Sequence, residues 1–238
     1  MGVINTMDDI NIEKRLAAVK ERIRAAAEKC GRDPAEITLI AVTKTYPVSA
    51  MNTAIKAGIT DVGENKPQEI RDKFDSVLPV RWHLIGHLQS NKIKYVIDRC
   101  DLIHSVDSIK LMDEIENKAK AHDRDIDILI QVNISGEESK SGVSPDGLEA
   151  MLRHAAALSR VHVKGLMTIA PKAEYGDADV CFADMKKLFD TVSEKSFPNV
   201  EMRELSMGMS GDFETAIKHG ATMLRIGSAI FGARNYNV

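Results

Sequence analysis

One lysine, one arginine and two turns rich in glycine and serine are the residues whose types and spacing could do chemistry. Lys44 follows the run Ile37, Thr38, Leu39, Ile40, Ala41, Val42. A nearly continuous apolar run suits a strand covered on both faces, as in a parallel sheet flanked by helices. Lys44 then falls where the strand emerges, the end at which barrels of parallel strands do chemistry. An amine placed there can attack a carbonyl if burial or a nearby cation keeps it neutral. Far along the chain, SMGMSGD (206–212) and RIGS (225–228) supply hydroxyls and turn N–H groups of the kind that bind phosphate. Singly, Lys44 could merely cap a strand and the serines and glycines merely turn the chain. Together they point to a phosphorylated carbonyl compound held covalently.

The elements that must position these residues alternate. Apolar periodicity predicts a helix over 9–30, with Ile12, Leu16, Val19, Ile23, Ala26 and Cys30 on one face. After the Lys44 strand, strands are predicted at 60–64, 80–85, 102–106, 126–134, 161–169, 203–207 and 222–226. Helices are predicted at 49–57, 67–77, 91–98, 108–121, 146–158, 178–195 and 212–219. Eight strands, the first seven each followed by a helix, have the rhythm of a single (β/α)8 TIM barrel. An open doubly wound sheet is the alternative. The barrel is assigned to 9–238, with 1–8 as a flexible tail. Only six residues follow Gly232, so no eighth helix is expected and the amino-terminal helix should cover its position.

If the barrel closes, its strand ends meet. They carry Lys44, Asn65, His83, Ser105, Asn133, Thr168, Ser206 and Arg225, a polar rim with a single lysine.

Composition narrows the function. The chain has 238 residues, of which 44% are apolar and 28% charged, ordinary for a globular protein. A net charge of −3 offers no general attraction to nucleic acid. Three scattered cysteines suit a reducing compartment, and no apolar run reaches membrane-spanning length. A cytoplasmic protein is therefore expected. His83 and His87 are spaced i, i+4 but lack the glutamate of a zinc helix, so no metal is assigned. GMSGD carries Asp212 where a nucleophile elbow needs glycine. Lys140, on a loop at the same rim, is either a further ligand contact or a surface lysine.

The segments AVTKTYP, GENKPQE, WHLIGHLQSNK, QVN, SKSG, GLMTIAP, LSMGMSGDFETAI and RIGSAIFGAR resemble, in order and over residues 10–236, the pyridoxal phosphate homeostasis proteins, single-domain relatives of the alanine racemase barrel. The resemblance implies that Lys44 carries pyridoxal 5′-phosphate as a Schiff base. It implies that Ser206, Ser210, Gly227 and Ser228 surround the phosphate, that Arg225 approaches the ring nitrogen or phosphate, and that Asn65, His83 and Met167 line the ring. Arginine stays protonated, so it would leave a facing pyridine nitrogen unprotonated and the ring a weak electron sink. Alanine racemases append a β-domain bearing a second base, and this sequence stops after the barrel. Two-base racemisation needs groups on opposite faces of the substrate, so the expected role is binding and control of pyridoxal phosphate without a dedicated catalytic cycle. The alternatives are a racemase using a rim residue such as His83, and a Schiff-base aldolase. The expected partners are pyridoxal phosphate and apo-enzymes that use it, and the chain is expected to be a monomer.

Overall fold

A computed structural model of the chain describes residues 7–137, 140–171 and 177–232. Its strands are β1 (Thr38–Val42), β2 (Asp61–Glu64), β3 (Arg81–Leu84), β4 (Leu102–Val106), β5 (Ile126–Gln131), β6 (Val161–Met167), β7 (Val200–Ser206) and β8 (Met223–Ile226). They pair in chain order, all parallel, and β8 closes onto β1 with Ile40 opposite Arg225. The closed (β/α)8 barrel expected from the alternation is the fold found.

The helices are α1 (Met7–Lys29), α2 (Val48–Lys56), α3 (Pro67–Lys73), α4 (Ile109–Ala121), α5 (Pro145–Ala155), α6 (Ala178–Ser193), α7 (Phe213–Lys218) and α8 (Ser228–Phe231). Helix starts follow their capping residues. Ser108, Ser144 and Asp177 each accept a first-turn N–H, and Pro67 and Pro145 occupy the first helical position, where a missing N–H costs nothing.

α1 packs against α2, α7 and α8, so it covers the seam between β8 and β1. Its buried stripe is Ile12, Leu16, Val19, Ile23 and Ala27. Each fully buried leucine or isoleucine there contributes about 2 kcal/mol. The stripe ends on Ala27 rather than Ala26, because seven residues of a straight helix fall about 20° short of two full turns and the buried face drifts off the alternating steps of four and three; Cys30 lies past the end of the helix and is exposed.

Three other expectations change. The helix starts at Met7, so residues 7 and 8 belong to it, while residues 1–6 of the expected tail lie outside the described residues. The segment after β3 is a 3-10 turn, Ser90–Tyr95, rather than an α-helix. A one-turn α8 does follow β8, since four residues suffice to close a turn.

Inside the barrel, Ile40, Leu102, Leu129, Met167 and Met223 form a small apolar cluster. A much larger apolar layer fills the space between strands and helices. One carboxylate ties a helix to the sheet: Glu116 of α4 accepts the backbone N–H groups of Ser159, Arg160 and Val161, where the chain enters β6, at 2.9 Å each, and the Ser159 hydroxyl at 2.8 Å. Burial opposes its ionisation, but these donors and Lys120 hold its carboxyl at about 2.

Candidate functional site

Lys44 lies two residues beyond β1, in a tight turn held from both sides. Below it, the Thr43 N–H donates to Gly63 O at 2.9 Å and the Thr43 hydroxyl donates to Glu64 Oε1 at 2.8 Å. Lys73 Nζ then donates to Thr43 O, Glu64 Oε1 and Glu69 Oε2. Glu69 Oε2 also accepts the N–H of Thr45, which adopts a positive φ of 69°. Such a conformation is costly for a branched residue and persists where its surroundings fix it. On the other side, the Tyr46 hydroxyl donates to Gly232 O and its ring packs on Phe231, with centroids 4.7 Å apart. Lys44 itself is half-buried in this turn, just past the carboxyl end of β1.

Glu64 is fully buried and one of its oxygens, Oε2, has no hydrogen-bond partner. Burial pushes its carboxyl up to about 7 against the pull of Lys73. A carboxyl raised in the folded state contributes stability that is fully present below its unfolded value and is lost as pH rises through the folded one. Glu64→Gln, which keeps the acceptor oxygen and cannot ionise, is therefore expected to match the parent near pH 4.5 and to exceed it by about 2–3 kcal/mol above pH 7. Thermal melts across that range check it; a constant difference between the two proteins would contradict it.

The loops after β7 and β8 meet the Lys44 turn. Gly227 sits against β1 so closely that an added Cβ would lie 3.2 Å from Val42 O. Ser210 Oγ accepts the N–H of Ala229 at 3.3 Å, and the Arg225 N–H donates to Gly208 O at 3.0 Å. Ser228 is exposed at this edge. The turn that carries Lys44 and the loops that carry Ser210, Gly227 and Ser228 therefore lie at the same, carboxyl-terminal end of the barrel.

Arg225 lies deeper and is 4% exposed. Its Nη1 donates to Ser206 Oγ and its Nη2 to Thr168 O at 2.8 Å. Burial lowers the guanidinium to about 10, with Asp212 opposing, so it stays charged at neutral pH. Ser206 is fully buried, and its hydroxyl is engaged by Arg225 and by His104 Nδ1 at 3.0 Å. It supports Arg225 from inside the barrel. His83 is 2% exposed, with Nε2 against Asp61 and Nδ1 against His104, so both of its nitrogens are committed inside the barrel. Met167 belongs to the interior apolar cluster.

Asn65 lines a cavity of about 230 Å³ at the mouth, with Gly86, Gln131, Asn133, Lys140 and Ile169 among its other walls. Lys140 there pairs with Glu137 at 2.8 Å. Sequence reasoning missed Asp61, Glu64, Lys73 and His104. Asp61 and His104 were visible as polar residues inside short apolar strands, but which strand residues meet inside a barrel depends on its closure and register. Among the described residues no cluster of three or more His, Cys, Asp or Glu could hold a metal, and no helix is long and apolar enough to cross a membrane.

Residues 15–235 match the family model described as alanine racemase, N-terminal domain. The pyridoxal phosphate homeostasis protein of Escherichia coli K12 is 42% identical, over 95% of this chain and 98% of its own. A crystal structure from Bifidobacterium adolescentis superposes with a TM-score of 0.89 at 36% identity, covering 97% of this chain and 98% of that one. PipY of Synechococcus elongatus, solved with PLP bound, superposes with a TM-score of 0.79 at 32% identity, over 93% of this chain and all of that one. With the barrel, the Lys44 turn and these matches over almost the whole length, the chain belongs to the pyridoxal phosphate homeostasis protein family.

Proposed function

We propose that this protein binds pyridoxal 5′-phosphate reversibly, holding it as a Schiff base on Lys44, and serves in controlling its level and delivery to apo-enzymes in the cytoplasm. The observation that carries this reading is the shared mouth, where a clamped lysine turn adjoins the Ser210 and Gly227–Ser228 loops above a buried arginine. The donor set fits the group: an amine for the aldehyde, hydroxyls and a side-chain-free glycine for the phosphate, and a cationic donor suited to an unprotonated ring nitrogen. When bound, the cofactor supplies an electrophilic carbonyl and an electron-withdrawing ring.

Ser210, Gly227 and Ser228 would hold the phosphate, Lys44 the aldehyde carbon and Arg225 the ring nitrogen, with Asn65 at the edge of the ring. Ser206 and His83 serve from below, through Arg225. That placement also argues against racemisation: His83, the candidate second base, has both nitrogens occupied by Asp61 and His104, and a second base must be free to take a proton on the opposite face. The chain acts as a monomer in this reading.

Two measurements test it together. Protein mixed with pyridoxal phosphate and passed through gel filtration should retain a visible absorbance band that borohydride bleaches; colourless protein would reject cofactor binding. Alanine incubated with the loaded protein in D2O should keep its α-hydrogen; sustained deuterium uptake would establish turnover and reject the carrier role.

A further inference from the structure

Four consecutive buried hydrogen bonds run across the inside of the barrel, from Asp61 on β2 through His83 and His104 to Ser206 and Arg225. We propose that Asp61, far from the mouth, fixes the direction of this whole chain, and that His83 and His104 are positioning residues which hold the Ser206 hydroxyl as an acceptor for Arg225.

The direction follows from what each group can donate. Burial alone would raise the Asp61 carboxyl, but hydrogen bonds from His83, Thr60 and Arg81 hold it down at about 2, so it only accepts. His83 Nε2, 2.8 Å away, must therefore carry a hydrogen. Burial, with His83 and Arg225 adding to it, keeps the His104 imidazole well below its ordinary value, so His104 has a single N–H. If that hydrogen sat on Nδ1, His83 would need hydrogens on both nitrogens and would be a cation. Asp61 is already paired with Arg81 at 2.9 Å, and Arg225 lies at the other end of the chain. A cationic His83 would then compete with Arg81 for the Asp61 carboxylate in the buried interior, at a high desolvation cost.

With the hydrogen on Nε2, every group is satisfied. His104 Nε2–H donates to His83 Nδ1 across 2.9 Å, the Ser206 hydroxyl donates to His104 Nδ1, and the free lone pair of Ser206 accepts from Arg225 Nη1. Arg225 is then pinned between Ser206 and Thr168 O. The other end of the chain lies at the amino-terminal end of the barrel, where Asp61, itself fully buried, forms part of the wall of a cavity of about 400 Å³ together with Thr60, Arg81, Lys20 and Arg24. A residue there controls the orientation of a guanidinium near the opposite end.

The hydrogen-bond direction stands apart from the proposed function, while its consequence for cofactor affinity rests on it. The test uses the full chain labelled with ¹⁵N-histidine, without cofactor, at pH 7, with His83→Gln and His104→Gln assigning the signals. Long-range ¹H–¹⁵N spectra should show His83 and His104 both carrying hydrogen on Nε2 alone. Hydrogen on Nδ1 of His104, or on both nitrogens of His83, overturns the proposal. In Asp61→Asn, whose side chain can donate or accept, His104 should average between two tautomers; unchanged shifts there overturn it. If that variant does not fold, Ser206→Ala should lose the hydrogen-bond shift at His104 Nδ1 while His83 keeps its tautomer, and a flipped His83 would contradict the assigned direction. Titrated with pyridoxal phosphate, Asp61→Asn should bind about tenfold more weakly than the parent, and equal affinity removes the link to Arg225. A parent that binds none refutes the proposed function and leaves the tautomer result standing.

Discussion

Lys44→Ala is expected to abolish the visible band formed with pyridoxal phosphate while leaving the melting temperature within about 2 °C of the parent. The fold should survive because the turn is held by the backbone and side chain of Thr43, the N–H of Thr45 and the ring of Tyr46. Covalent attachment should not, because it needs an amine that can become neutral. Lys44→Arg sharpens the point: it preserves the charge but offers a guanidinium that stays protonated, so it too should give no band that borohydride bleaches. Absorbance and a thermal melt on the same samples check both, and a band of parental intensity in either variant would move the attachment elsewhere.

Glu116→Ala should cost far more stability than any change at the mouth. It strips the acceptor from three consecutive backbone N–H groups and from the Ser159 hydroxyl where the chain enters β6. Leaving such groups unpaired beside a packed helix is expected to cost about 4 kcal/mol in total. The loss is also pH-dependent. The Glu116 carboxyl is depressed to about 2, so its contribution is present above the ordinary glutamate value and disappears as pH falls through about 2. Denaturant unfolding at pH 7 should show the full difference between parent and variant, which should shrink towards pH 2. A difference below about 1 kcal/mol at pH 7 would mean that water replaces the carboxylate.

The parts of this molecule that could be read from its sequence are those written in local pattern. The apolar run before Lys44 announces a covered strand, and the alternation of such runs with helical periodicity announces the barrel. Short-range chemistry was also legible: the serines and glycines after β7 and β8 are turn residues whatever surrounds them. The helix stripe closes on Ala27 rather than Ala26, because i, i+3 and i, i+4 steps describe a face only approximately, and Cys30 falls past the helix end, a boundary that apolar periodicity does not mark.

What could not be read depends on closure. Nothing near Asp61 in sequence says that its side chain faces the same interior as His83, His104, Ser206 and Arg225, which lie on four other strands. For that reason a list of strand ends does not show that His83 and Ser206 commit their polar atoms to neighbours inside the barrel. Glu64 and Lys73 were invisible for a related reason. Their meeting under the Lys44 turn requires β2 to pair with β1 in the observed register, which brings Thr43 onto Gly63 O.

The central claim is that one amine, held at the mouth beside the β7 and β8 loops, takes the cofactor. Peptide mapping by mass spectrometry of the pyridoxal phosphate-loaded, borohydride-reduced protein tests it most directly. The added mass should lie on the peptide containing Lys44, at one equivalent per chain; the same mass on the Lys140 peptide, or on none, would contradict the account.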